Sequence, residues 1–124
     1  MKFTFKRLVS TSITSEDIDD IMVAALEGGI TYWCDNVKIV GVAFGKYASD
    51  QIARGGSLQL FDAESNKEYI LNRSKLINGV KLWLESGACE DDVVIDGALN
   101  TSAIDAECAD AIIQFALFGE IMYS

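Results

Sequence analysis

Nine carboxylates, and not one Lys or Arg, occupy residues 82–124: Glu85, Glu90, Asp91, Asp92, Asp96, Asp105, Glu107, Asp110 and Glu120. Carboxylates at this density offer three chemistries. Two of them can act as general acid and base around a glycosidic bond, provided the fold converges them, and spacing alone selects no such pair. Several can hold a hard cation, and Asp91, Asp92 and Asp96 followed by Gly97 have that look. They lack the alternating rhythm and the closing bidentate Glu of a calcium loop, so we expect an exposed acidic loop and no metal. The third chemistry is electrostatic docking, which needs only exposed acids facing a basic surface. The candidate docking residues are Glu90, Asp91, Asp92, Asp96, Glu107 and Asp110. Solubility and helix capping account for the same acids, so both readings stand at this level.

The charge is one-sided. Residues 1–81 carry ten basic and ten acidic groups, so the formal net charge of −9 arises wholly in the last third. A pI near 4.3 argues against direct nucleic-acid binding, which needs a basic stripe. The chain has no His, which removes Ser-His and Cys-His catalysis and every His-based zinc site. Cys34, Cys89 and Cys108 are isolated, an odd count that fits buried thiols in a reducing cytoplasm. No phosphate loop or dinucleotide fingerprint occurs, since Gly41 to Lys46 has the wrong spacing. These absences point to a non-enzyme without cofactor. A second set, Trp33, Tyr47, Arg54 and Arg73, supplies rings and cations that can hold a small nucleotide; Trp33 lies on an expected core element, so core is its favoured role.

The elements that must position these groups read as one α+β domain over 1–124, a small antiparallel sheet of about four to six strands with three main helices. Thr14 with Asp17 three residues on is a capping box, and Ile13 and Ile18 take the staple positions. A helix follows, with Ile18, Ile21, Met22, Ala25 and Leu26 on one face and a left-handed stop at Gly28-Gly29. Phe3 to Val9 and Ile30 to Cys34 read as strands, with a turn or bulge at Asp35-Asn36. Tyr47 to Arg54 has the composition of a short helix. Ser57 to Leu71 is a hairpin around the polar run 62–67. Arg73 to Ser86 is a helix that buries Leu76, Ile77, Val80, Trp83 and Leu84, with Gly79 inside it and Gly87 as its stop. A short strand at Val93 to Ile95 precedes a turn at Asp96-Gly97. The last helix starts near Ser102 or Asp105 and ends at Gly119, before a short strand over Glu120 to Tyr123. Its one polar stripe is Glu107, Asp110 and Gln114, so it is either central to the core or half of a homo-oligomer interface through 105–119. No apolar run approaches the ~20 residues of a membrane helix, and no signal peptide is evident, so a cytoplasmic protein is expected. With no proline in the sequence, refolding should lack a slow isomerisation phase.

Three stretches together resemble a family of small, uncharacterised accessory proteins of phages and prophages of Gram-positive gut bacteria. They are Gly28 to Cys34, Tyr47 to Gly56, and Ile104 to Asp110 continuing through Gln114 to Glu120. The resemblance implies a bacterial host cell and, by analogy, antagonism of host defence. The expected function is then a non-catalytic acidic decoy or inhibitor that docks on a basic host protein, such as a nucleic-acid-handling defence complex of the CRISPR type. The alternative is an oligomeric sponge that sequesters a nucleotide immune signal.

Overall fold

The computed structural model describes residues 2, 3, 11–89 and 91–124. Its strands are β1 (Lys2–Phe3), β2 (Thr11–Ser12), β3 (Cys34–Val40), β4 (Ser57–Asp62), β5 (Glu68–Leu71), β6 (Val94–Ile95) and β7 (Ala98–Leu99). Its helices are α1 (Ser15–Ala24), α2 (Arg73–Ser86) and α3 (Ala106–Phe118). The fold is α+β with three main helices. The strands divide into two sheets, ordered β1-β2-β7-β6 and β3-β4-β5, and every pairing is antiparallel except that of β2 with β7. The rest of the N-terminal strand expected over Phe3 to Val9 lies outside the described residues. No helix among the described residues is long and apolar enough to cross a membrane.

Helix α1 forms as its sequence dictates. The Thr14 hydroxyl accepts the Asp17 N–H at 3.1 Å, and the Asp17 carboxylate accepts the Thr14 N–H at 2.9 Å. Both Ile13 and Ile18 are fully buried at the staple positions. The exit differs from the expected left-handed stop. The chain widens into a π-helical turn, Ala25–Gly29, closed by the Ile30 N–H donating to the Ala25 carbonyl at 3.0 Å. Gly29 keeps ordinary φ; what it supplies is room, because a Cβ there would lie 2.5 Å from the Ala106 carbonyl oxygen. The expected strand over Ile30 to Trp33 is also corrected. Those residues form a bend and a turn, and β3 begins only at Cys34, with a register shift at Asp35 that moves the pairing by one residue.

Strand β4 alternates cleanly and turns Leu58, Leu60 and Asp62 inward. The hairpin to β5 carries Asn66 at φ +59°, and Asp62 Oδ1 accepts the N–H groups of Glu64 and Ser65. Between β3 and β4 the expected helix is only a 3-10 turn, Ala48–Asp50, followed by further turn to Gly55. Gln51 explains the difference. Fully buried, it accepts the Phe44 N–H at 3.0 Å and donates to the Val42 carbonyl at 2.8 Å, holding the loop from beneath.

Helices α2 and α3 pack extensively against each other. Gly79 permits the contact, since a Cβ there would sit 2.6 Å from the Ile112 carbonyl oxygen and 2.7 Å from Ala116 Cβ. Leu58, Leu60 and Leu71 join Ile18, Ile21, Met22, Leu76, Val80, Trp83, Ile112 and Ile113 in a single core. Helix α3 is central to that core, touching α2, α1, β5 and the π-turn. Both tryptophans are buried, Trp83 at 1% exposure and Trp33 at 2%.

Candidate functional site

The polar stripe of α3 turns inward at Asp110 and Gln114, while Glu107 stays exposed. Asp105 caps the helix, accepting the Cys108 N–H at 2.8 Å, which together with a second bond from Cys108 holds its carboxyl below the usual range. One turn further Asp110 is buried, and one more turn on Gln114 is 1% exposed. Asp110 Oδ1 accepts the Trp33 indole N–H at 2.8 Å and the Gln114 amide at 3.0 Å, while Oδ2 accepts the Tyr32 hydroxyl at 2.6 Å. Thus the turn after the π-helix, read as strand in sequence, delivers two adjacent aromatic donors to one carboxylate. Burial of the hydroxyl, followed by its bond to Asp110, pushes Tyr32 up to about 12.

Gln114 also holds the C-terminal residues. Its Oε1 accepts the N–H groups of Met122 and Tyr123 at 2.7 and 2.8 Å, and its Nε2 donates to the Tyr123 carbonyl at 3.1 Å. These bonds replace the expected terminal strand. Residues 121–124 have no strand partner and are strapped across α3 by one side chain. The Tyr123 ring stacks on Trp33 and meets Phe118 at an edge, and its hydroxyl donates to Asp62 Oδ2. That bond, with the two backbone N–H groups, holds the Asp62 carboxyl below its ordinary range and raises Tyr123 well above that of a free tyrosine.

A groove of about 590 Å³ runs beside this network, between the first turns of α3, the π-turn and the strap. Its walls include Gly28, Gly29, Tyr32, Glu107, Asp110, Ala111 and Ile121, mostly apolar surface with a few converging polar groups. That volume and lining suit a ligand or side-chain pocket.

The candidate acids divide. Asp91, Asp92, Asp96 and Glu107 are exposed. Asp110 is a correction: it is no surface acid but the buried acceptor of three neutral donors. Glu90 lies outside the described residues. Asp91 and Asp92 sit on a 3-10 turn, Asp91–Val93, and Asp96 with Gly97 makes the left-handed turn between β6 and β7. Asn100 fixes that end, donating from its amide to the Asp92 carbonyl at 2.9 Å, and Thr101 ties it to Asp20 of α1 at 2.8 Å.

The alternative ligand set is not assembled. Tyr47 is 61% exposed; Arg54 Nη1 contacts Asp19 at 3.4 Å and Asp50 at 3.6 Å; Arg73 donates to the Ala53 carbonyl at 3.2 Å. These three surround the turn over 47–55, whereas Trp33 is committed to Asp110 and Tyr123. The thiols fit an inert role. Burial pushes Cys34 up, and burial with Asp105 pushes Cys108 up to about 11.

No family model matches this chain, and neither a curated protein nor a solved structure matches it.

Proposed function

We propose that this chain is a non-catalytic interaction domain that docks through an acidic surface on a basic protein partner. The observation that carries the reading is the exposure of Asp91, Asp92, Asp96 and Glu107, all within a stretch, residues 82–124, that contains no Lys or Arg. Among the described residues the ion pairs are those of Arg54 with Asp19 and Asp50, away from these four acids. The acids at the β6–β7 end stand on a braced turn that keeps their geometry in solution, which lowers the ordering cost of association. Their field steers a basic partner and is screened by salt over about 8–10 Å. The resemblance to phage accessory proteins suggests a bacterial cytoplasm as the setting and a nucleic-acid-handling defence complex as the first partner to try.

The test is binding of the purified protein to such a complex at low and high salt, with an Asp91→Asn, Asp92→Asn, Asp96→Asn variant alongside. The expected result is an affinity that falls with salt and a variant that binds more weakly with a shallower salt slope. Unchanged binding and slope would overturn the reading. The nucleotide sponge draws less support, because Arg54 is engaged by two acids of its own chain and the large groove is walled by carboxylates that repel phosphate.

A further inference from the structure

The groove beside α3 has a feature that its shape alone does not explain. Glu107 and Asp110 stand on its wall three residues apart, on the same side of the helix, and neither has an ion pair among the described residues. Asp110 is only 8% exposed, and its three hydrogen-bond donors, Tyr32, Trp33 and Gln114, are all neutral. Neutral dipoles orient a buried carboxylate without cancelling its formal charge, and burial makes an uncancelled charge costly. The remaining walls are of the opposite character. Ala106, Ala111 and Ile121 offer methyl and methylene surface, and the half-exposed ring of Tyr32 offers an aromatic face.

We propose that this groove receives the aliphatic stem and cationic head of one lysine or arginine side chain, with the head at Glu107 and Asp110. The assignment rests on the docking reading above and names the group by which the basic partner is gripped. A long basic side chain is the ligand class that satisfies both halves of the site. Its methylenes cover the apolar walls, and its head lies within reach of two carboxylates and the Tyr32 ring. Phosphates and free carboxylates are rejected by the two acids. A purely apolar side chain leaves the charge of Asp110 uncompensated. Gly28 and Gly29 matter here too: they bring no side chain to the groove wall, and Gly29 brings the π-turn against Ala106.

The test is a titration of the isotope-labelled protein with acetyl-Gly-Lys-Gly-amide, its arginine counterpart and its norleucine counterpart, followed by NMR. The lysine and arginine peptides should shift the Ala106 and Ala111 amides and the Trp33 indole N–H saturably, with a dissociation constant on the order of millimolar. Norleucine should shift them little. Glu107→Gln, at an exposed position, should weaken binding about fivefold. Ala111→Trp, which fills the groove, should abolish it, with the near-ultraviolet circular dichroism of Trp33 and Trp83 reporting that the fold is kept. Absent shifts, equal shifts from norleucine, or full binding in Ala111→Trp would each overturn the groove assignment. Failure of the parent reading looks different. Partner binding that resists both groove variants yet falls with the 91, 92 and 96 substitutions overturns the groove and leaves the docking surface standing. Partner binding insensitive to both sets, and to salt, overturns the docking reading itself.

Discussion

Tyr123 lies flat against Trp33, with ring centroids 4.8 Å apart and planes within 4° of parallel. The stack joins the C-terminal strap to the turn that follows the π-helix, and both partners reach further. Trp33 donates to Asp110, and Tyr123 donates to Asp62. One aromatic pair therefore couples α3, β4 and the strap. Removing the ring by Tyr123→Ala loses the stack, an edge contact with Phe118 and the Asp62 bond together. A loss of about 2–4 kcal/mol is expected in urea unfolding, with a red shift of Trp33 emission. Tyr123→Phe keeps the stack and should cost about 1 kcal/mol through the lost hydrogen bond. Equal losses in the two variants would show that the ring contributes little.

Gln114 spends its whole amide on the strap and the carboxylate beneath it. Gln114→Ala should cost about 2–3 kcal/mol, because buried acceptors and N–H groups lose their partner. Hydrogen exchange should quicken first at the Met122 and Tyr123 amides, before the core of α3. Protection retained at those two amides would refute the strap as the consequence of this one side chain.

Gly79 tests packing against propensity. In an exposed helix, Gly→Ala gains up to about 1 kcal/mol. Here the added Cβ meets backbone at 2.6 Å, and neither α2 nor α3 can yield without disturbing Ile112 and Ala116. Gly79→Ala should destabilise by about 1–3 kcal/mol. A stabilised variant would show that the two helices can separate at little cost.

Stability should fall at both ends of the pH scale for opposite reasons. Asp62 and Asp105 have depressed pKa values in the fold, so their contribution is present above the unfolded value, near 4, and is lost as pH falls through the lower folded values. Tyr32 is raised to about 12, so its contribution is complete below the unfolded value near 10 and is lost as pH rises towards 12. Tyr32→Phe should flatten the alkaline limb of a thermal-melting profile and leave the acid limb unchanged. An unaltered alkaline limb would remove Tyr32 as its cause.

Cys34 and Cys108 should be slow towards a disulfide reagent at neutral pH. Cys34 is buried and Cys108 is raised to about 11, so little thiolate is present at either. Fast, stoichiometric labelling of Cys108 in the folded protein would contradict the packing at the start of α3.

What sequence determined here is local in origin. Thr14 and Asp17 start α1, Asp105 starts α3, and Gly87 and Gly119 stop α2 and α3 with φ of +77° and +73°, because caps and left-handed stops depend on a few neighbouring residues. The inward alternation of β4 and the buried face of α2 followed from period alone. What the tertiary structure decided was which polar groups face inward. Asp110 and Gln114 carry the same periodic signal as an exposed stripe. They are buried because Tyr32, Trp33 and the strap, distant in sequence, bring donors and acceptors to them. Ile30 to Trp33 has strand composition, yet it forms a turn, since only that path sets two aromatic donors on one carboxylate and lets Gly29 meet Ala106. Periodicity records how often a face is apolar. Whether a polar residue on it meets water or a partner depends on long-range contacts, which no short window of sequence contains.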